Sequence, residues 1–214
     1  MKNSATAQEV GAETEATPPR TRIQREKRAA ILEAGLTVFS EAGFKGATLD
    51  RIASEAGLSK PNLLYYFPSK EAIYETLLLR LLDTWLDPLK ALDPDGVPVD
   101  EILAYVQRKL EMARDYPRES RLFATEIIQG APQVLPVLQA ELRSMVEDTA
   151  AVIDGWAAEG RIASVDARHL LFSIWAQTQH YADFEVQVTA VLGAPDFDGA
   201  AQHLELMYRR MVTP

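Results

Sequence analysis

Within the segment TLDRIASEAGLSKPNLLYYF (48–67), helical spacing turns Lys60, Asn62 and Tyr65 to one side of a short helix and Leu63 and Tyr66 to the other. An ammonium, a carboxamide and a phenol presented outward suit phosphate oxygens and base edges. Ser59 and Thr48 add hydroxyls, and Lys45 and Lys70 add cations at the borders of the segment. A second constellation lies downstream. Leu78, Leu82 and Trp85 share one helix face, and Phe172, Trp175 and Gln179 share another. A carboxamide on an apolar stripe is costly to bury unless it is paired. Spacing alone leaves two readings: Gln179 bonds a neighbouring backbone group among core tryptophans, or the stripes wall a ligand site. Enzyme chemistry has thinner support. Of the histidines His169, His180 and His203, only His180 has an acidic neighbour of note, Asp183 one turn on, which could orient an imidazole. No nucleophile, glycine-rich phosphate loop or metal triad stands at suitable spacing, so His180 reads as a structural hydrogen-bonder. The chain has no cysteine, which excludes disulfides, thiolate catalysis and cysteine-based zinc or iron-sulfur sites. No catalytic residue, cofactor or metal is expected.

The elements that must position these groups read as helices. Residues 1–20 are rich in Thr, Ala, Glu and Pro and read as a disordered tail. A helix is expected from about Thr21 to Ala42, stopped by Gly43, then short helices over Thr48–Ala56 and Ser59–Tyr66, then a long one from Lys70 to about Leu86. Further helices are expected over 98–115, 118–129, 133–159, 166–190 and 197–212, with breaks at Pro and Gly clusters. No sustained strand alternation is present. The segment around Gly57 meets the requirements of a helix-turn-helix. Ala53 is small where two helices cross, and Gly57 supplies a left-handed turn that a side chain would oppose. Ile52, Ala56, Leu58, Leu63 and Tyr66 fall where the two helices share a core. In that geometry the second helix enters the major groove.

The net charge of −9 is unevenly distributed: residues 20–70 carry nine Lys/Arg against five Asp/Glu, and residues 71–214 carry twelve against twenty-three. A basic head on an acidic body turns the head toward phosphate. No window approaches the roughly 20 apolar residues of a membrane span, and residues 1–20 lack the apolar core of a secretory leader. A cytoplasmic protein without membrane contact is expected.

The stretch GFKGATLDRIASEAGLSKPNLLYYFPSKEAIY (43–74), and its YYF-x-SK-E ending above all, resembles the head of TetR-family transcriptional regulators. The resemblance continues through TWLDPLK (84–90), ARDYPRESRLF (113–123) and IWAQTQHYADF (174–184), which are similar to a pyrimidine-responsive branch of that family. It implies an all-α, TetR-like fold: a three-helix helix-turn-helix head (21–67) on a helical ligand-binding and dimerisation body (68–214). It implies a homodimer formed by the last two long helices that binds double-stranded operator DNA. It also implies that Trp85, Trp175 and Gln179, with Leu78, Leu82 and Phe172, bind a pyrimidine effector such as uracil or thymine. The chemistry agrees, because a carboxamide matches the N–H/C=O edge of such a ring. A ligand lacking that edge would leave Gln179 unpaired at about 1–3 kcal/mol. Pro61 is a departure, standing where a Thr is expected in this branch, so operator identity does not carry over. The resemblance leaves a body of about 140 residues, larger than dimerisation alone requires.

Overall fold

The computed structural model describes residues 22–214, so the tail expected over residues 1–20 lies outside the described residues. Among the described residues the chain is helical and has no strand. Helix α1 (Arg22–Gly46) carries a kink at Gly43 (φ 66°, ψ 173°) where a stop is expected, and the helical turns resume to Gly46. Helices α2 (Leu49–Glu55) and α3 (Lys60–Tyr66) follow, and then the long α4 (Lys70–Lys90).

The head closes as its residue pattern requires. Ile52 and Leu63 are fully buried between α2 and α3, with Ala53 beside them and Ala56, Leu58 and Tyr66 packed against the same cluster. Gly57 has φ +64°, a backbone setting that side chains oppose, so it makes the turn between the two helices. Thr48 caps α2, its hydroxyl accepting from the Arg51 amide at 3.2 Å.

Helix α4 joins head to body. Its early turns, Ile73, Tyr74, Leu77, Leu78 and Leu81, complete the head's core together with Leu122, Ala131 and Val134. At the crossing of α1 and α4 a Cβ on Gly35 would stand 2.8 Å from Ile73 Cγ2, so only glycine permits this approach. The helix runs past the expected end at Leu86 and takes in Pro88. Proline removes one helical hydrogen bond there. Burial of Leu86, Pro88 and Leu89 against the body core offsets that loss.

The body comprises α5 (Pro98–Asp115), α6 (Pro117–Ile128), α7 (Leu135–Val137), α8 (Arg143–Ala158), α9 (Ala167–Asp183), α10 (Glu185–Leu192) and α11 (Phe197–Val212). Two expected helices are interrupted. A π-helical turn over Leu138–Leu142 separates α7 from α8, and Phe184 (φ −115°, ψ 30°) separates α9 from α10. Side chains from α6 hold the second break: Ser120 Oγ donates to Asp183 at 2.6 Å and Arg121 to Glu185 at 2.7 Å. Helix α5 packs against both α9 and α11, with Ile102, Tyr105, Val106 and Leu110 in the main core. Helix α6 bridges to the head, where Arg118 donates to Glu33 at 2.8 Å and to the Thr37 hydroxyl at 3.1 Å on α1.

Candidate nucleic-acid interface and ligand cavity

The outward face of α3 carries Lys60, Asn62 and Tyr65, all exposed, with Tyr65 at 72%. Lys60 Nζ donates to Asp50 at 2.9 Å across the helix-turn-helix. That ion pair is solvent-exposed and contributes little, so the ammonium remains available to a phosphate. Ser59 caps α3 in backbone position but makes no side-chain cap bond, which leaves its hydroxyl uncommitted. Thr48 accepts a bond as the cap of α2 and keeps its own O–H for an acceptor outside. Lys45 is exposed at the last turn of α1. Lys70 is placed differently. Its ammonium donates to the carbonyls of Phe44 at 2.8 Å and Ala47 at 3.0 Å, and lies 4.4 Å from the Phe44 ring centroid. It ties the end of α1 to the start of α4 and retains one N–H. Arg28 also serves the head's interior, donating to the Tyr66 carbonyl at 2.6 Å.

The body encloses a cavity of about 870 Å³ between α4, α5, α6 and α9, with the π-helical turn along one wall. Of the six expected ligand residues, Leu82, Trp85, Trp175 and Gln179 line it. Leu78 and Phe172 do not. Leu78 lies two turns before Trp85 and packs into the head-side core, while Phe172 is turned away from the cavity and is 49% exposed. Helical spacing fixes a shared face but not which neighbour each successive turn meets. The Gln179 carboxamide is half-buried and makes no protein hydrogen bond among the described residues. The two tryptophans differ. Trp175 Nε1 donates to the Tyr105 hydroxyl at 2.6 Å, whereas Trp85 Nε1 is buried without any partner.

Two charged groups in the cavity escaped the site expectation. Lys109 is 4% exposed and its Nζ stands 5.1 Å from the Trp85 ring centroid. Burial lowers its pKa to about 8, an effect that the negative charge of Asp183 partly offsets. Asp183 also lines the cavity, and burial raises its carboxyl above the usual range despite the bond from Ser120. Asp183, which its spacing could set beside His180, instead accepts from Ser120 on α6, and His180 stacks on Phe184 at 5.1 Å. A signal for Lys109 was present in the sequence: it interrupts the stripe Ile102, Tyr105, Val106, Leu110, Ala113 at helical spacing. Such a cavity can take a flat, mainly apolar ring that presents acceptors to unpaired donors. Among the described residues no group of three or more His, Asp or Glu could hold a metal ion, and no helix is long and apolar enough to cross a membrane.

A helix-turn-helix head joined through one long helix to a helical body with an internal cavity is the architecture of a DNA-binding transcriptional regulator. Comparison with known proteins agrees. Residues 31–77 match the tetR family of bacterial regulatory proteins, and residues 78–214 match the C-terminal region of YcdC-like proteins. The chain belongs to the TetR family of DNA-binding transcriptional regulators, proteins that are not enzymes. It is 51% identical over 178 residues to the HTH-type transcriptional regulator RutR of Escherichia coli O157:H7, covering 83% of this chain and 84% of that protein. An HTH-type transcriptional repressor of Streptomyces coelicolor is 27% identical over 191 residues, covering 86% and 94%. Among solved structures, a tetR-family regulatory protein from Rhodococcus RHA1 shares the fold with a TM-score of 0.73 at 19% identity, covering 88% and 97%.

Proposed function

We propose that this regulator senses a pyrimidine base such as uracil or thymine in the body cavity, and that binding there alters the affinity of the head for its operator. The observation that carries the reading is the Trp85 indole N–H, buried without a partner, together with the half-buried Gln179 carboxamide, which makes no protein hydrogen bond, both on residues lining one mainly apolar cavity. A pyrimidine ring offers a carbonyl for the first and an N–H/C=O edge for the second. Its flat faces suit Trp175, Leu82 and Leu86. The similarity to RutR supports the same reading. In the head (residues 21–67), Lys45, Thr48 and Ser59 contact phosphates, joined by Lys70 from the start of α4, and Lys60, Asn62 and Tyr65 meet the major groove. The body is residues 68–214. Exposed Phe172, Leu206 and Met211 lie on the adjoining helices α9 and α11, where the Ser173 and Tyr208 hydroxyls are 3.2 Å apart. They form the face against which a second copy packs.

Two connections carry the ligand's effect. Helix α4 holds Lys70 near one end and Trp85 about 22 Å away at 1.5 Å per residue. Helix α6 lines the cavity with Phe123, Ala124, Ile127 and Ile128 and grips α1 through Arg118. A ligand shifts operator binding only insofar as it binds one head spacing more tightly than another. The test is operator binding to promoter fragments at one fixed salt concentration, repeated with a nucleobase panel beside thermal-shift measurements. Uracil or thymine is expected to shift both. A panel in which no pyrimidine changes either quantity would remove this reading and leave a regulator of another effector.

A further inference from the structure

Duplex DNA is gripped largely through its phosphates, so a head that binds it needs uncommitted cations. The helix-turn-helix proper supplies few. Residues 29–70 carry Lys45, Arg51, Lys60 and Lys70 against Glu33, Glu41, Asp50 and Glu55, a balance of zero. Three of these four cations already have partners: Arg51 pairs with Glu41, Lys60 pairs with Asp50, and Lys70 donates to the carbonyls of Phe44 and Ala47. The surplus positive charge lies instead in the first two turns of α1, where Arg22, Arg25, Lys27 and Arg28 stand against a single acid, Glu26. Arg22 is offset by its pair with Glu26. Arg25 and Lys27 are exposed and make no hydrogen bond or ion pair among the described residues. Cations near the positive end of a helix macrodipole disfavour the helix, and no acid stands in the first turn of α1 to compensate. Arg28 fixes where this charge sits. Its guanidinium donates to the Tyr66 carbonyl at 2.6 Å and lies 4.0 Å from the Phe67 ring centroid, which docks α1 on the last turn of α3. A recognition helix reads bases from its first residues, so its last turn stands at the wall of the groove, beside a phosphate strand. From Arg28 back to Arg22 α1 covers about 9 Å at 1.5 Å per residue, the axial rise of about three phosphates on one strand.

We propose that the first two turns of α1 form a second DNA-contacting element, in which Arg25 and Lys27 bind backbone phosphates flanking the base pairs read by α3 and supply a large share of the salt-dependent affinity. This rests on the placement of α3 in the major groove and is independent of the effector. The ligand is the duplex backbone, so these contacts add affinity without sequence preference. Each neutralised phosphate steepens the fall of log affinity with log salt by about 0.9. Two such cations in each head of a dimer therefore account for a slope of about 3 to 4.

The experiment compares three full-length proteins by fluorescence anisotropy: wild type, the head variant Arg25→Gln/Lys27→Gln, and the control Arg108→Gln/Arg143→Gln, which removes as much exposed charge from the body. Each is titrated on an operator duplex and on an unrelated duplex of equal length, from about 50 to 200 mM salt. The head variant is expected to bind both duplexes more weakly by the same factor and to show a salt slope lower by about 3 to 4. Its deficit against wild type should shrink about 100-fold across that salt range. The body control should keep the wild-type slope. On an operator cut back to the outer base pairs of its half-sites, wild type should lose about tenfold or more and the head variant little. Thermal unfolding of the head variant should match wild type, because neither side chain holds another part of the described chain. A head variant with wild-type operator affinity and slope would overturn the proposal and leave the contacts of α3 intact. A loss that the body control matches would overturn it too, since net charge alone would then explain the effect. Wild type that binds no duplex would overturn both this element and the placement of α3 in the groove.

Discussion

Replacing Lys109 with methionine is expected to stabilise the unliganded protein. The side chain is 4% exposed, and burial lowers its pKa to about 8 from an ordinary lysine value near 10.4. A tenfold change in proton affinity corresponds to about 1.4 kcal/mol. Holding the ammonium inside the folded chain at pH 7 therefore costs at most about 3 kcal/mol. The sign follows from proton counting. Between about pH 8 and 10.4 the unfolded chain still binds the proton that the folded chain has released. Wild-type stability therefore climbs with pH through that window, and the whole cost is present below pH 8. Methionine has a similar length and no charge, so it fills the same space and removes the cost. A gain of about 1–3 kcal/mol at pH 7 is expected, with a rise in Tm of about 2–4 °C per kcal/mol for a chain of this size. The assay is urea unfolding of both proteins from pH 6.5 to 10 at one protein concentration, since dimer stability depends on concentration. The variant should show a flatter profile across the alkaline limb. A variant less stable than wild type at pH 7 would mean that Lys109 is held by a structural partner, and the reasoning from an uncompensated charge would be refuted.

Four further substitutions test the head and the cavity. Gly57→Ala places a side chain at φ +64° and is expected to destabilise the head by about 1 kcal/mol or more, measured by thermal unfolding, with weaker operator binding at the same salt. Asn62→Ala is expected to relax sequence preference at one or two operator positions by about 1–3 kcal/mol. Thr48→Val should weaken binding to all sequences alike, and a competition series of single-base operator variants separates the two patterns. Trp85→Phe keeps a ring in the wall but deletes the unpartnered N–H, so calorimetry should find uracil affinity reduced about three- to tenfold with ligand-free operator binding unchanged.

The head was legible because its requirements are local. Gly57 at a left-handed turn, Thr48 as a cap, and Ile52 and Leu63 facing each other all follow from spacing within twenty residues. The body was legible in composition and less so in its joints. The helix expected to end near Leu86 runs on to Lys90, because Pro88 with buried neighbours is carried through it by tertiary packing. The break at Phe184 depends on Ser120 and Arg121 from α6, which spacing within α9 does not reveal. Trp85, Trp175 and Gln179 stood out as aromatic or polar residues on apolar stripes, and all three meet in the cavity. Leu78 and Phe172 shared those stripes but face other neighbours, because a stripe several turns long crosses more than one packing partner. Lys109 was passed over because a charged residue in the middle of an amphipathic helix ordinarily belongs to the solvated face. Its burial among Ile102, Tyr105, Val106 and Leu110 is the exception.

The bare backbone at Gly35 has a further consequence for how such regulators diversify. Where α1 crosses α4, Gly35 contributes no side chain, and the backbone of α1 rests on the Ile73 and Leu77 side chains. A single methyl group there would have to displace Ile73 or shift α1 against α4, and α2 is packed on α1. The seating of the reading helix on the body would then change without any change in the residues on its outward face. One codon at this crossing thus bears on how the head is carried, independently of the side chains it presents.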